Sequence, residues 1–212
     1  MPIDVDAIVG EVVDLQRATV PGGIVFEIAL DAHGAVVLGD PALLFEAIGN
    51  LCANALHACG ERGRIRVETA QWTTTAARAL SHGALAPGRH VRIAITDDGH
   101  GMSPAVLDQL FEPFFTTRQT EGGTGLGLAM VRGAVKEMGG VIDVNSAPRR
   151  GARFELLLPC SDRAAAPPAA AADELPRGHG EVVMVVDDEP ALVALTEELL
   201  ADLGYEPAGF SE

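Results

Sequence analysis

Glu46, Asn50 and Asn54 recur at every fourth position in the stretch EAIGNLCANALHA. On a helix each step of four advances about 40°, so the three share one face. Polar side chains on an otherwise apolar helix cost stability unless they are satisfied. Asparagine offers a carbonyl acceptor and an amide donor, a pair suited to a hydrated Mg²⁺ beside phosphate. An exposed polar stripe or a buried polar network has the same pattern, so other stretches must decide. A second stretch, DDGHGM, follows directly from a strand-like run. Asp97 stands at the strand end, where a carboxylate can accept from an exocyclic amine such as the 6-amino group of adenine. Gly99 and Gly101 permit a tight turn around a ligand. An ordinary acidic turn reads alike; a calcium loop lacks its D-x-D-x-D oxygens.

FEPFFTTR holds three of the seven phenylalanines, Phe111, Phe114 and Phe115. Without clear periodicity, they suggest a loop that is anchored yet movable. Arg118, Thr116 and Thr117 carry groups that reach phosphate oxygens. A surface loop pinned by aromatic packing is the alternative. In GGTGLGLAMV, glycines precede a helical run, and free N–H groups with the helix dipole favour phosphate there. Two familiar phosphate loops fail. Gly123, Gly125 and Gly127 give G-x-G-x-G, not the dinucleotide spacing, and the only lysine, Lys136, rules out a P-loop.

In this order and at these separations, the four stretches resemble the N, G1, F and G2 boxes of sensor histidine kinases, whose catalytic domain has the Bergerat ATP-binding fold shared with gyrase, Hsp90 and MutL. The resemblance covers about residues 1 to 160. It implies ATP and Mg²⁺ as ligands and phosphoryl transfer as the reaction. Asn50, Asn54 and Arg118 are the catalytic residues it implies. Asn54 would coordinate Mg²⁺ with Asn50 helping and Glu46 on the same face. Asp97 would bind adenine in a pocket shaped by Gly99 and Gly101. Thr116, Thr117, Arg118, Gly123, Thr124, Gly125, Leu126 and Gly127 would surround the phosphates. His57 stands where the family often has lysine or arginine facing them. Gyrase-like ATPases carry a glutamate as general base one turn before the Mg²⁺ asparagine; here Asn50 holds that place, which fits phosphoryl transfer rather than ATP hydrolysis.

The elements that must position these residues follow from the pattern of apolar residues. Residues 3 to 15 have helical spacing, and residues 24 to 30 alternate as a strand. Asp40 is an N-cap with Pro41 at the first helical position, and the helix runs to a stop at Gly60. Strands are expected at 35–40, 64–72, 90–96, 140–146 and 152–159, a short helix at 103–111, and a helix from about Gly125 to Met138. Residues 73–89 read as an exposed connection. The fold class is α+β, a two-layer sandwich of helices over a largely antiparallel sheet.

After Pro159 the composition shifts. Residues 161–180, rich in Ala and Pro, read as a linker between the 1–160 domain and a new strand–helix unit at 181–212. That last piece resembles the start of a response-regulator receiver, a doubly wound α/β fold, with Asp187 and Asp188 matching its Mg²⁺-binding acidic pair; the resemblance makes it a fragment that lacks the phosphate-accepting aspartate. The parent is then a hybrid kinase. The formal charge of −15 argues against non-specific nucleic-acid binding. Cys52, Cys59 and Cys160 lack metal spacing and read as reduced thiols of a cytoplasmic protein. No apolar run of membrane-spanning length or signal peptide is legible, though a larger parent protein has room for an anchor. None of the six histidines, 33, 57, 82, 90, 100 and 179, sits in the amphipathic hairpin helix that carries the phosphate acceptor in such kinases. The expected partners are therefore ATP, a histidine-bearing dimerisation hairpin and a receiver, and this chain is not expected to phosphorylate itself. Two rival functions stand beside this one, a non-catalytic ATP-dependent binding module and an anti-sigma-type Ser/Thr kinase.

Overall fold

The computed structural model describes residues 1–20, 22–117, 124–161 and 178–210, with the backbone alone for residues 18, 19, 190 and 191. The chain divides into two compact units, Met1–Ala166 and Pro167–Glu212. The first unit opens with a short strand β1 (Pro2–Asp4) and a helix α1 (Val5–Thr19), which Asp4 caps by accepting from the Ala7 N–H. Strands β2 (Ile24–Asp31) and β3 (Val36–Leu38) follow, then the long helix α2 (Pro41–Cys59). The caps of α2 are those its sequence implies. Asp40 Oδ1 accepts from the Ala42 N–H at 2.9 Å, and Gly60 ends the helix at φ +69°.

Next come β4 (Gly63–Thr74), a hairpin of β5 (Arg78–Leu80) and β6 (Gly83–Leu85), and β7 (Gly88–Asp97). A four-residue helix α3 (Pro104–Leu107), helix α4 (Gly127–Glu137) and strands β8 (Val141–Ser146) and β9 (Ala152–Ser161) complete the unit. The main sheet has the order β1-β3-β9-β7-β4-β2, with β8 also on β9, and only β2 and β4 run parallel. Helices α1 and α4 each pack on α2, and all three pack on the sheet. The core lies between the layers. Leu44, Ala47, Ile48, Leu51, Cys52 and Ala55 form a helical stripe on α2 and meet Ile65 and Val67 of β4 and Val91, Ile93 and Ile95 of β7. Each large apolar side chain buried here contributes about 1.5–3 kcal/mol.

Four expectations are corrected. Helix α4 begins at Gly127, because Gly125 has φ +66° and cannot continue a helix. The helix expected over 103–111 is only one turn, Pro104–Leu107, capped by Ser103. The connection 73–89 folds as the β5–β6 hairpin and joins the edge of β8, where the Ser81 N–H donates to Asp143 Oδ1 and His82 bridges Ile142. Helix α2, 19 residues long, is also long and apolar enough by length and composition to cross a membrane, with mean hydropathy 1.2 in its 18-residue window, against the expectation that no run reaches that length. Its apolar stripe faces the sheet, so here it is a core helix.

In the second unit β10 (Val182–Val186) and β11 (Glu206–Phe210) pair in parallel, joined by helix α5 (Pro190–Asp202). The strand–helix pattern of the sequence is present, with one further strand. The expected linker lies almost wholly outside the described residues.

Candidate functional site

Period-two alternation along β7 fixes where its last side chain goes. Val91, Ile93 and Ile95 face the helices, so Asp97 follows them into the space between the layers. Asp97 is only 7% exposed. Oδ1 accepts from the Gly99 N–H at 2.9 Å and the Ala152 N–H at 3.3 Å. Burial holds the Asp97 carboxyl above the usual carboxylate range, against the lowering effect of those two N–H groups. Asp98, one residue on, points the other way and accepts from the Arg64 N–H at 2.7 Å. The two neighbouring acids thus divide the work: Asp97 faces a cleft, and Asp98 ties β7 to the start of β4.

The backbone after Asp97 is shaped by close approach. A Cβ on Gly99 would collide with the Ala58 carbonyl of α2, and one on Gly101, at φ +64°, with the Ala147 carbonyl. The turn between β8 and β9 holds this loop from below. Gly151 N–H donates to the Gly99 carbonyl at 3.0 Å, and the Ser146 hydroxyl accepts from the Met102 N–H at 2.9 Å. The sequence gives no sign of a role for Gly151, and His100 stands there only as a histidine at a variable place of its box. His100 lines the cleft, and Gly151 reads as an ordinary hairpin glycine until its partner strand is known.

The cleft holds about 250 Å³ between α2, the 97–102 loop, Phe115–Thr117 and the start of α4. Asn50, Asn54 and His57 line it from α2, and Asp97 lies at its sheet side. Thr116, Thr117, Thr124, Gly125 and Gly127 line it too. A Cβ on Gly127 would stand 3.0 Å from Asn50 Oδ1, so the carboxamide of Asn50 meets the N-terminus of α4. Among the described residues no side chain caps that helix, whose first residue opens onto the cleft. Unpaired N–H groups of a first turn and the helix dipole suit an anion there. His57 is less apt. Its Nδ1 lies 2.6 Å from the Ala53 carbonyl, a contact that takes an N–H, so the neutral ring offers only a lone pair at Nε2.

Glu46 lies outside the cleft. Eight residues of helix rotate it about 80° from Asn54, and it is exposed beside a separate depression shared with Glu137. Of the three α2 residues expected at Mg²⁺, the two with carboxamides remain at the cleft. Such neutral, sparse donors fit a Mg²⁺ that keeps most of its waters and is held mainly by phosphate. Leu126 is the residue before α4, 37% exposed, and does not line the cleft. Arg118 and Gly123 lie outside the described residues. Asp187 and Asp188 stand after β10 in the second unit, where Asp187 Oδ1 accepts from the Glu189 N–H at 2.9 Å.

The three phenylalanines have three fates. Phe111 is buried and Phe115 lines the cleft, while Phe114 is 73% exposed with φ +66°. Phe114 N–H donates to the Gly125 carbonyl at 3.0 Å, so the two ends of the intervening segment are tied together. Burial pushes the Cys52 thiol up to about 12 and, with Asp97 and Asp98 nearby, that of Cys59 to about 11, so both stay protonated at neutral pH.

Comparison with known proteins places the chain in a family. The sensor kinase CckA of Brucella abortus (strain 2308) is 34% identical over 170 residues, 76% of this chain and 18% of CckA. The sensor histidine kinase ZraS of Klebsiella oxytoca is 38% identical over 58% of this chain and 23% of its own length. The chain therefore spans only a minor part of the curated relatives it matches. The solved structure of the mycobacterial sensor histidine kinase MprB superposes with a TM-score of 0.60 at 27% identity, covering 76% of this chain and 97% of that one. The first unit is thus an ATP-binding catalytic domain homologous to those of sensor kinases. The family described as histidine kinase-, DNA gyrase B- and HSP90-like ATPases matches residues 39–162, and the chain belongs to it.

Proposed function

We propose that this chain donates the γ-phosphoryl group of Mg²⁺·ATP to a histidine on a separate helical hairpin, as part of a hybrid two-component kinase working in the cytoplasm, where ATP is available. The observation that carries the reading is the buried Asp97 carboxylate at one side of a cleft lined by Asn50, Asn54 and the open N-terminus of α4. That arrangement offers an acceptor for the adenine 6-amino group and N–H donors for phosphate in one cavity.

In this reading Asp97 orients the base, and the first turn of α4 binds the phosphates. Asn54, with Asn50, would hold Mg²⁺, which when bound neutralises charge on the phosphates. Arg118 would contact a phosphate oxygen, as the resemblance implies. Catalysis is then positioning and charge stabilisation, with the P–O bond broken and a P–N bond formed at the acceptor imidazole, whose proton leaves to a base outside this chain. All six histidines of the chain have other settings; His57 and His100 are hydrogen-bonded to backbone carbonyls, and His90 is buried in β7. The unit β10–α5–β11 supports the receiver reading through its parallel pair and the acidic residues after β10.

The test is to incubate the chain with γ-labelled ATP and a purified histidine-kinase hairpin. Acid-labile label on the hairpin, and none on the chain, is expected. Binding of ATP with no transfer to any hairpin would favour a binding module, and label on a serine of a partner would favour a Ser/Thr kinase.

A further inference from the structure

The β5–β6 hairpin has no part in the nucleotide site, yet its tip reaches the loop that forms one wall of it. The His82 ring meets the Phe111 ring edge-on, with centroids 4.8 Å apart and planes at 82°. Arg132 of α4 lies over the same Phe111 ring, 5.9 Å from its centroid. Phe111 is thus held between the hairpin and α4, while its neighbours Leu110 and Phe115 line the cleft. The hairpin itself is fixed to β8. Ser81 N–H donates to Asp143 Oδ1 at 2.8 Å, the Val144 N–H donates to Ser81 Oγ at 2.7 Å, and His82 Nδ1 lies 3.0 Å from that same hydroxyl oxygen.

We propose that His82 is a positioning residue for the nucleotide site, latching Phe111, and through it the Leu110–Thr117 wall, to the sheet while its ring is neutral. The charged and titratable groups around the ring among the described residues are Arg132 from α4 and Asp143 from β8, with the Leu107 carbonyl from α3. Burial first, then Arg132, lowers the affinity of His82 for a proton; Asp143 and the Leu107 carbonyl oppose this less strongly. A proton on the ring therefore disfavours the latched arrangement. Since the folded-state value is depressed, the latch contributes fully above the ordinary histidine range and is lost as pH falls through and below it.

The latch concerns the nucleotide-free chain; its effect on affinity rests on the ATP-site reading, and the two are measured separately. The first measurement is amide hydrogen exchange of residues 107–117 without nucleotide, corrected for intrinsic pH dependence. The chains are wild type, His82→Ala and His82→Phe, compared between pH 7.5 and pH 5.5. His82→Phe keeps an aromatic edge against Phe111 but cannot take a proton. Protection in wild type is expected to fall by roughly three- to tenfold on acidification, the worth of one aromatic pair. His82→Phe is expected to stay protected at both values, and His82→Ala to be poorly protected at both. The second measurement is calorimetric titration with Mg²⁺·ADP, where the affinity of wild type is expected to fall with pH more steeply than that of His82→Phe. Parallel exchange profiles for wild type and His82→Phe would overturn the latch, as would full protection in a folded His82→Ala. Absence of ADP binding by wild type with the exchange pattern as expected would leave the latch standing and sink the ATP-site reading instead.

Discussion

The Asp97 carboxylate works against the fold it belongs to. Burial raises its proton affinity, so its folded-state value lies above the unfolded one. Such a group contributes stability below the unfolded value and loses it as pH rises through the folded value, which leaves the ionised form a net cost at neutral pH. Asp97→Asn keeps an oxygen to accept from Gly99 and Ala152 and removes the charge. It is expected to melt at the same temperature as wild type or higher, by circular dichroism, while losing ADP affinity by about ten- to a hundredfold, the worth of one charge-assisted hydrogen bond. The wild-type affinity should begin to fall on acidification above the ordinary carboxylate range. Asn54→Ala is expected to bind ADP without Mg²⁺ as wild type does, and to gain little when Mg²⁺ is added; an unchanged Mg²⁺ response in titration would remove Asn54 from that role.

Among the elements, the loop after β7 and the β8–β9 turn form one unit through Gly99, Gly101 and Gly151. Gly101→Ala places a methyl group against the Ala147 carbonyl at φ +64°. The left-handed conformation alone costs about 1–2 kcal/mol, and the collision adds to it, so urea unfolding should show a larger loss, with weaker ADP binding. Gly133 in α4 is the contrast, because a Cβ there meets nothing. Gly133→Ala is expected to stabilise the chain by about 0.5–1 kcal/mol with ADP binding unchanged. Helix α2 was legible in the sequence because cap, period and stop all agree at Asp40, the 44–55 stripe and Gly60. The β5–β6 hairpin was not, because its few apolar residues alternate with nothing. Its strands are specified by the free edge of β8, a tertiary partner that local pattern cannot reveal.

At the scale of the whole molecule, the buried core cluster described for the first unit runs from Ile3 to Leu158. A chain ending at Ser161 is therefore expected to keep the melting temperature and the ADP affinity of the full chain; a loss in either would mean the second unit contributes to the site. That unit leaves Val182, Met184 and Val186 of β10 and Leu195 and Leu199 of α5 exposed, as suits a strand and helix meant for cover on further faces. The site itself was legible to a useful degree. Asp97, Asn50, Asn54 and the glycines at 125 and 127 come together around one cleft. Glu46 does not, because a four-residue spacing drifts around a helix by 80° over two steps. The support beneath the loop, Gly151 and Ser146, was invisible because it comes from strands paired across 50 residues of sequence.

The central claim, that this cleft binds adenine nucleotide through Asp97, is tested most directly by calorimetric titration with Mg²⁺·ADP of the full chain and of Asp97→Asn. Saturable binding by the wild-type chain, lost or strongly weakened in a variant that melts no lower, is the predicted result. Equal binding by both, or none by a wild-type chain that circular dichroism shows to be folded, would contradict it.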